Sequence, residues 1–128
     1  MSQPPIRPSD GELAILRVLW SRGLSTVREV HDELSKEREM GYTTVLKLMQ
    51  IMVEKGLVTR DESTRTHVYQ ATQGEESTQA CLLKDLLQKA FEGSAKSLVV
   101  RALTETKADD RELDEIQAYL DQLRGNRP

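Results

Sequence analysis

Residues 41–56, GYTTVLKLMQIMVEKG, decide the fold of this 128-residue chain. Wound as a helix, they bring Val45, Leu48, Met49 and Met52 to positions i, i+3, i+4 and i+7, one continuous apolar stripe. The opposite arc carries Thr43, Lys47, Gln50 and Glu54, with Thr44 and Ile51 at its edge. The first side is core. The second offers hydroxyls, an amide and a lysine, a set suited to base edges in a major groove. Gly56 sits where a left-handed C-cap is favoured. The β-branched pair Val58-Thr59 and a polar turn follow, so the period shifts from 3.6 to 2. A helix followed at once by a small hairpin is the order of a winged helix-turn-helix. A merely solvated amphipathic helix would look the same over these residues, so the rest of the chain must decide.

Upstream, residues 1–8 hold three of the four prolines and read as a flexible or extended arm. Ser9 and Glu12 form a capping box that opens a first helix, with Leu13, Ile15, Leu16, Leu19 and Trp20 inward and Gly23 as its stop. Trp20 reads as a core anchor among leucine and isoleucine. Leu24-Ser25 leaves room for one small strand. Thr26 and Glu29 repeat the capping box and open a second helix to about Glu37, with Val27, Val30 and Leu34 as its core stripe. Downstream, 57–61 and 66–71 read as two strands. Val68 is expected inward, with His67 and Tyr69 on the other side and Arg60 and Arg65 near the tip.

Gln73-Gly74-Glu75-Glu76 is a composition break. Residues 1–72 carry ten basic and ten acidic side chains, whereas 73–128 carry eight and eleven, so the whole net charge of −3 lies C-terminally. Phosphate binding depends on local basic groups, and the balance permits an N-terminal DNA-binding half. Beyond the break run three helical patterns. The first carries Leu82, Leu83, Leu86, Leu87 and Phe91, and the second Leu98, Val99, Val100 and Leu103. Asp109 and Glu112 cap the third, which carries Leu113, Ile116, Leu120 and Leu123. So small a segment cannot hide this much leucine alone, and a second copy is the simplest cover. The domains expected are an arm (1–8), a winged-helix domain (9–72) and a helical dimerisation region (73–128). The fold class is mainly α with a small β-wing.

No apolar run approaches the ~20 residues that cross a bilayer, and MSQPPIRPSD lacks the apolar core of a secretory signal. The cytoplasm is the expected compartment, without membrane insertion. A single cysteine, Cys81, excludes an internal disulfide or a cysteine-cluster metal site and is expected to be buried. His31 and His67 are the only histidines. No Cys–His pairing, glycine-rich phosphate loop or paired-carboxylate motif suggests an enzyme, and neither cofactor nor metal is expected.

The segments LAILRVLW (13–20), TVREV (26–30), YTTVLKLMQIMVEKGLV (42–58), the R-x4-R-x-HVY pattern (60–69) and FEGSAKSLV (91–99) together resemble the penicillinase-repressor (BlaI/MecI) family over roughly residues 9–123. The resemblance implies a bacterial winged-helix repressor that dimerises through C-terminal helices on an inverted-repeat operator. Its implied partners are double-stranded operator DNA, a second copy of the chain, and a membrane sensor protease or its downstream signal. It puts Thr43, Thr44 and Lys47 at the DNA, with Arg65 in the wing. Helical position and proximity add Gln50, Ile51 and Arg60. Ile51 stands where the family is often basic, and an isoleucine there can meet a thymine methyl. Arg101-Ala102 replaces the Asn-Phe pair cut in antibiotic-responsive members, so control by that cleavage is not expected. The RGNRP ending replaces the Cys-x-Cys tail of copper-responsive relatives, so direct metal sensing is not expected. The competing reading is a winged helix whose Thr/Lys face docks a protein partner without sequence-specific DNA binding.

Overall fold

The computed structural model describes residues 7–125, so most of the arm expected over 1–8 lies outside the described residues. The element order is α1 (Asp10–Arg22), α2 (Val27–Leu34), α3 (Tyr42–Lys55), β1 (Val58–Asp61), β2 (Val68–Ala71), α4 (Glu75–Phe91), α5 (Ala95–Glu105) and α6 (Asp110–Gly125). Helices 1–3 and the hairpin are the parts of a winged helix-turn-helix. The chain divides into two compact units, Met1–Leu83 and Lys84–Pro128.

Local chemistry starts each N-terminal helix. The Ser9 N–H donates to Glu12 Oε1 at 2.8 Å and the Glu12 N–H returns a bond to Ser9 Oγ. Thr26 and Glu29 repeat the exchange at the head of α2. Two orphan donors are satisfied in each box, which fixes where the helix begins. The second helix ends at Leu34, earlier than the Glu37 expected. Ser35 Oγ and its N–H both donate to the His31 carbonyl, and the next residues turn away. Gly56 closes α3 with φ 81° and ψ 13°, a left-handed conformation that its missing Cβ makes accessible.

The core of the first unit gathers Ile15, Leu16 and Leu19 of α1, Val27, Val30 and Leu34 of α2, and Val45, Met49 and Met52 of α3, with Val58 and Tyr69 from the sheet. Leu48, the fourth residue of the expected stripe, packs against this cluster half-buried. It fits because Gly11 faces it: a Cβ there would come within 3.1 Å of Leu48 Cδ1. Full burial of side chains such as Met49 and Met52 stabilises the unit by about 1.5–3 kcal/mol each. The stripe thereby fixes which face of α3 turns outward.

The hairpin pairs Val58 with Ala71 and Asp61 with Val68, antiparallel. Here the expected phase is corrected. Tyr69 is the buried residue, at 2% exposure, and Val68 is half-buried. Ser25 determines this, because its backbone pairs with Tyr69 in both directions and draws that residue under the sheet. Trp20 packs at the edge of the core, and its ring N–H donates to the Gln73 carbonyl at 2.9 Å, tying α1 to the segment after the wing.

In the remainder, Ser94 caps α5 through the Ser97 N–H, and the Asp109 carboxylate accepts from the Glu112 N–H at the head of α6. Helices 4–6 contain no buried residue. Cys81, expected inside, is exposed. No helix among the described residues is long and apolar enough to cross a membrane.

Candidate nucleic-acid interface

With Val45, Met49 and Met52 at 0% exposure, α3 presents its other side to solvent. Thr43, Thr44, Lys47 and Gln50 are all exposed there, while Ile51 at the edge is half-buried. The first turn of α3 is braced against α2. The Arg28 guanidinium lies over the Tyr42 ring at 4.5 Å from its centroid, and His31 meets the same ring edge-on at 5.9 Å. A cation–π contact of this kind contributes about 0.5–1 kcal/mol at an exposed site. Its geometric effect is larger, since it holds both side chains beside the exposed threonines.

The distribution of ion pairs separates structural cations from free ones. Arg22 bridges to Glu29 at 2.9 Å and to Glu33 at 3.7 Å, and Lys36 also pairs with Glu33. Lys55 reaches the buried Glu12 through both carboxylate oxygens, at 2.9 and 3.0 Å. Burial pushes the Glu12 pKa up. The Ser9 N–H and Lys55 together outweigh burial and hold it below the usual carboxylate range. These pairs clamp the helices and leave little charge for a ligand. By contrast, Arg28, Lys47 and Arg65 have no carboxylate partner among the described residues. All three belong to α2, α3 and the wing, where an HTH module meets DNA.

Arg60, which sequence position alone would group with Arg65, is held differently. It pairs with Glu62 at 2.6 Å and lies cross-strand from Tyr69. The Tyr69 side chain and the Glu62 carboxylate both raise its pKa. Its guanidinium therefore supports the hairpin. Arg65 stands exposed in the connecting turn, where the Ser63 N–H donates to Asp61 and Thr64 Oγ1 donates to the Thr66 carbonyl. Those bonds give the tip a defined shape. Arg28 and Tyr42 are site residues that the sequence did not single out. The signal available was an arginine in the first turn of α2 and an aromatic at the first position of α3, but only the fold shows that they stack.

Among the described residues no cluster of histidine, cysteine and carboxylates could hold a metal. What the surface offers is hydroxyl, amide and guanidinium donors on a rigid helix and a neighbouring turn. Such donors bind phosphates and base edges.

Comparison with known proteins agrees with this chemistry. A family profile described as Penicillinase repressor matches residues 8–122. A transcriptional regulator named BlaI from Mycobacterium tuberculosis is 36% identical over 125 residues, spanning 95% of this chain and 91% of that protein. The solution structure of the DNA-binding domain of the repressor BlaI is 28% identical and superposes with a TM-score of 0.50, covering 59% of this chain and 90% of that one. RosR of H. salinarum, 18% identical with a TM-score of 0.52, shares the fold over 91% of this chain and 94% of its own.

Proposed function

Since the chain belongs to the penicillinase-repressor family, we propose that it is a DNA-binding transcriptional repressor that acts as a homodimer on an inverted-repeat operator in the cytoplasm. The observation that carries the reading is the free, outward Thr43, Thr44, Lys47 and Gln50 face of α3, flanked by unpaired Arg28 and Arg65. Residues 9–72 are the DNA-binding domain. Thr43, Thr44, Lys47 and Gln50 meet the major groove, with Ile51 at the edge toward a thymine methyl, and Arg65 holds the flanking backbone. Arg60 acts through the shape of the wing.

Residues 73–128 are the dimerisation region. In the isolated chain Leu83, Leu86, Leu113, Leu120 and Leu123 stand 41–49% exposed. A monomer would leave these side chains wet, whereas a two-fold dimer covers each of them on both copies. Leu82, Leu87 and Phe91 of α4, Leu98 of α5 and Ile116 of α6 are half-buried. A sensor protease, or a signal downstream of one, completes the partner set. Arg101-Ala102 lies within α5, so cutting there requires that helix to open.

Selection of duplexes from a random pool tests the reading. The expected winners are inverted repeats whose half-sites lie about one helical turn, 10–10.5 bp, apart. A pool that stays random, or one that yields an unrepeated site, contradicts it.

A further inference from the structure

We propose that the cleft between the heads of α2 and α3 and the wing is a phosphate seat, filled in the complex by a backbone phosphodiester of the DNA. This rests on the proposed DNA-binding function and adds an interaction which that proposal does not contain. The cleft measures about 290 Å³. Arg28 and Tyr42 form one wall, and Arg65, Thr66 and His67 of the wing form the other. No carboxylate lines it. Asp61 lies outside the lining, and its carboxylate accepts from the Ser63 N–H.

A second groove in the same unit shows what a self-compensated surface looks like. It measures about 350 Å³, and there Arg17, Arg22 and Arg38 are matched by Glu33, Glu37 and Glu75. The first cleft lacks that compensation. Two guanidiniums face a small space with nothing of opposite sign, and an anion between them offsets their repulsion. Phosphate suits the donors. The Arg28 guanidinium carbon lies over the Tyr42 ring at 4.5 Å from its centroid and the group has no carboxylate partner among the described residues, so its N–H groups can fork two phosphate oxygens. The stack also orders the side chain beforehand, which lowers the entropy cost of binding. Location favours DNA over a free anion, because in helix-turn-helix modules the helix before the recognition helix crosses the backbone. Arg28 lies in the first turn of that helix.

The test is anisotropy titration of the full chain on a selected duplex and on a random one, across a salt series. Arg28→Ala is expected to weaken both by the same factor. Freeing one phosphate from its arginine lowers the salt slope by about 0.9, so the wild-type advantage per phosphate shrinks about 3.5-fold between 50 and 200 mM salt. Tyr42→Phe keeps the ring and should match wild type, whereas Tyr42→Leu frees Arg28 and should approach Arg28→Ala. Arg28→Gln serves in its place if the alanine variant melts lower. Lys47→Ala separates the seat from the repressor function. If it weakens binding while Arg28→Ala and Arg28→Gln do not, the seat falls and the repressor function stands. If all three are silent, both fall. Inorganic phosphate, titrated at constant ionic strength, distinguishes the sources. Saturable binding that Arg28→Ala abolishes, with DNA affinity unchanged, would assign the cleft to a free anion and overturn the proposal.

Discussion

Replacing Leu120 by aspartate removes the centre of the α6 seam. Leu120 is 47% exposed in the isolated chain, so about half of its side chain awaits cover. Complete burial of a leucine is worth about 1.5–3 kcal/mol, which makes that half worth about 1 kcal/mol. A two-fold interface repeats every residue, so Leu120→Ala should cost the dimer about 2 kcal/mol, or ~30-fold in dissociation constant. Leu120→Asp adds two carboxylates without evident partners, which must lose water, take up protons or force the interface open. Sedimentation equilibrium of the full chain should show wild type as a dimer at micromolar concentration, the alanine variant weakened, and the aspartate variant monomeric. The same variant should lose tight binding to a two-fold site yet keep the affinity of one half-site. An aspartate variant that dimerises like wild type would refute the assignment. So would a wild-type protein that is monomeric at micromolar concentration and still binds the full site tightly.

Lys47→Ala should weaken DNA binding without lowering the melting temperature, since Lys47 is exposed opposite the buried stripe. If Lys47 holds a phosphate, the salt slope should fall by about one unit per half-site; if it reads a base, specificity should relax at one position; unchanged affinity would remove it from the interface. Arg65→Ala should weaken selected and random duplexes alike; if only discrimination suffers, the wing reads bases. Glu12→Gln should lower stability at neutral pH by about 1–2 kcal/mol, because a charge-assisted bond to Lys55 becomes a neutral one. Glu12 has a depressed folded pKa, so its contribution is complete above the unfolded value, about 4.3, and fades as pH falls through the folded one. Denaturant melts of the two proteins should therefore converge in acid, and a gap unchanged from neutral pH to pH 3 would contradict the linkage.

Features encoded within a few residues were legible in the sequence. Both capping boxes, the left-handed Gly56 and the Val45/Met49/Met52 stripe appear where their spacing put them. Pairings between distant residues were not. A four-residue strand fixes a two-residue alternation but not its phase, and Ser25, far off in sequence, turns Tyr69 inward. Nothing local links Glu12 to Lys55, or Arg28 to Tyr42, until three helices bring them together. Arg60 and Arg65 looked equivalent in sequence because only the folded hairpin assigns Glu62 and Tyr69 to one of them.

The central claim is that this net-acidic chain binds DNA through a locally basic face, and the salt dependence of wild-type affinity for a selected two-fold duplex tests it most directly. With Arg28 and Arg65 on phosphates in both halves, log K should fall against log salt with a slope of about −3.6, about 150-fold between 50 and 200 mM, and a phosphate contact from Lys47 as well would steepen it to about −5. A slope near zero, with the protein folded and dimeric throughout, would contradict the account and leave the α3 face as a surface for protein partners.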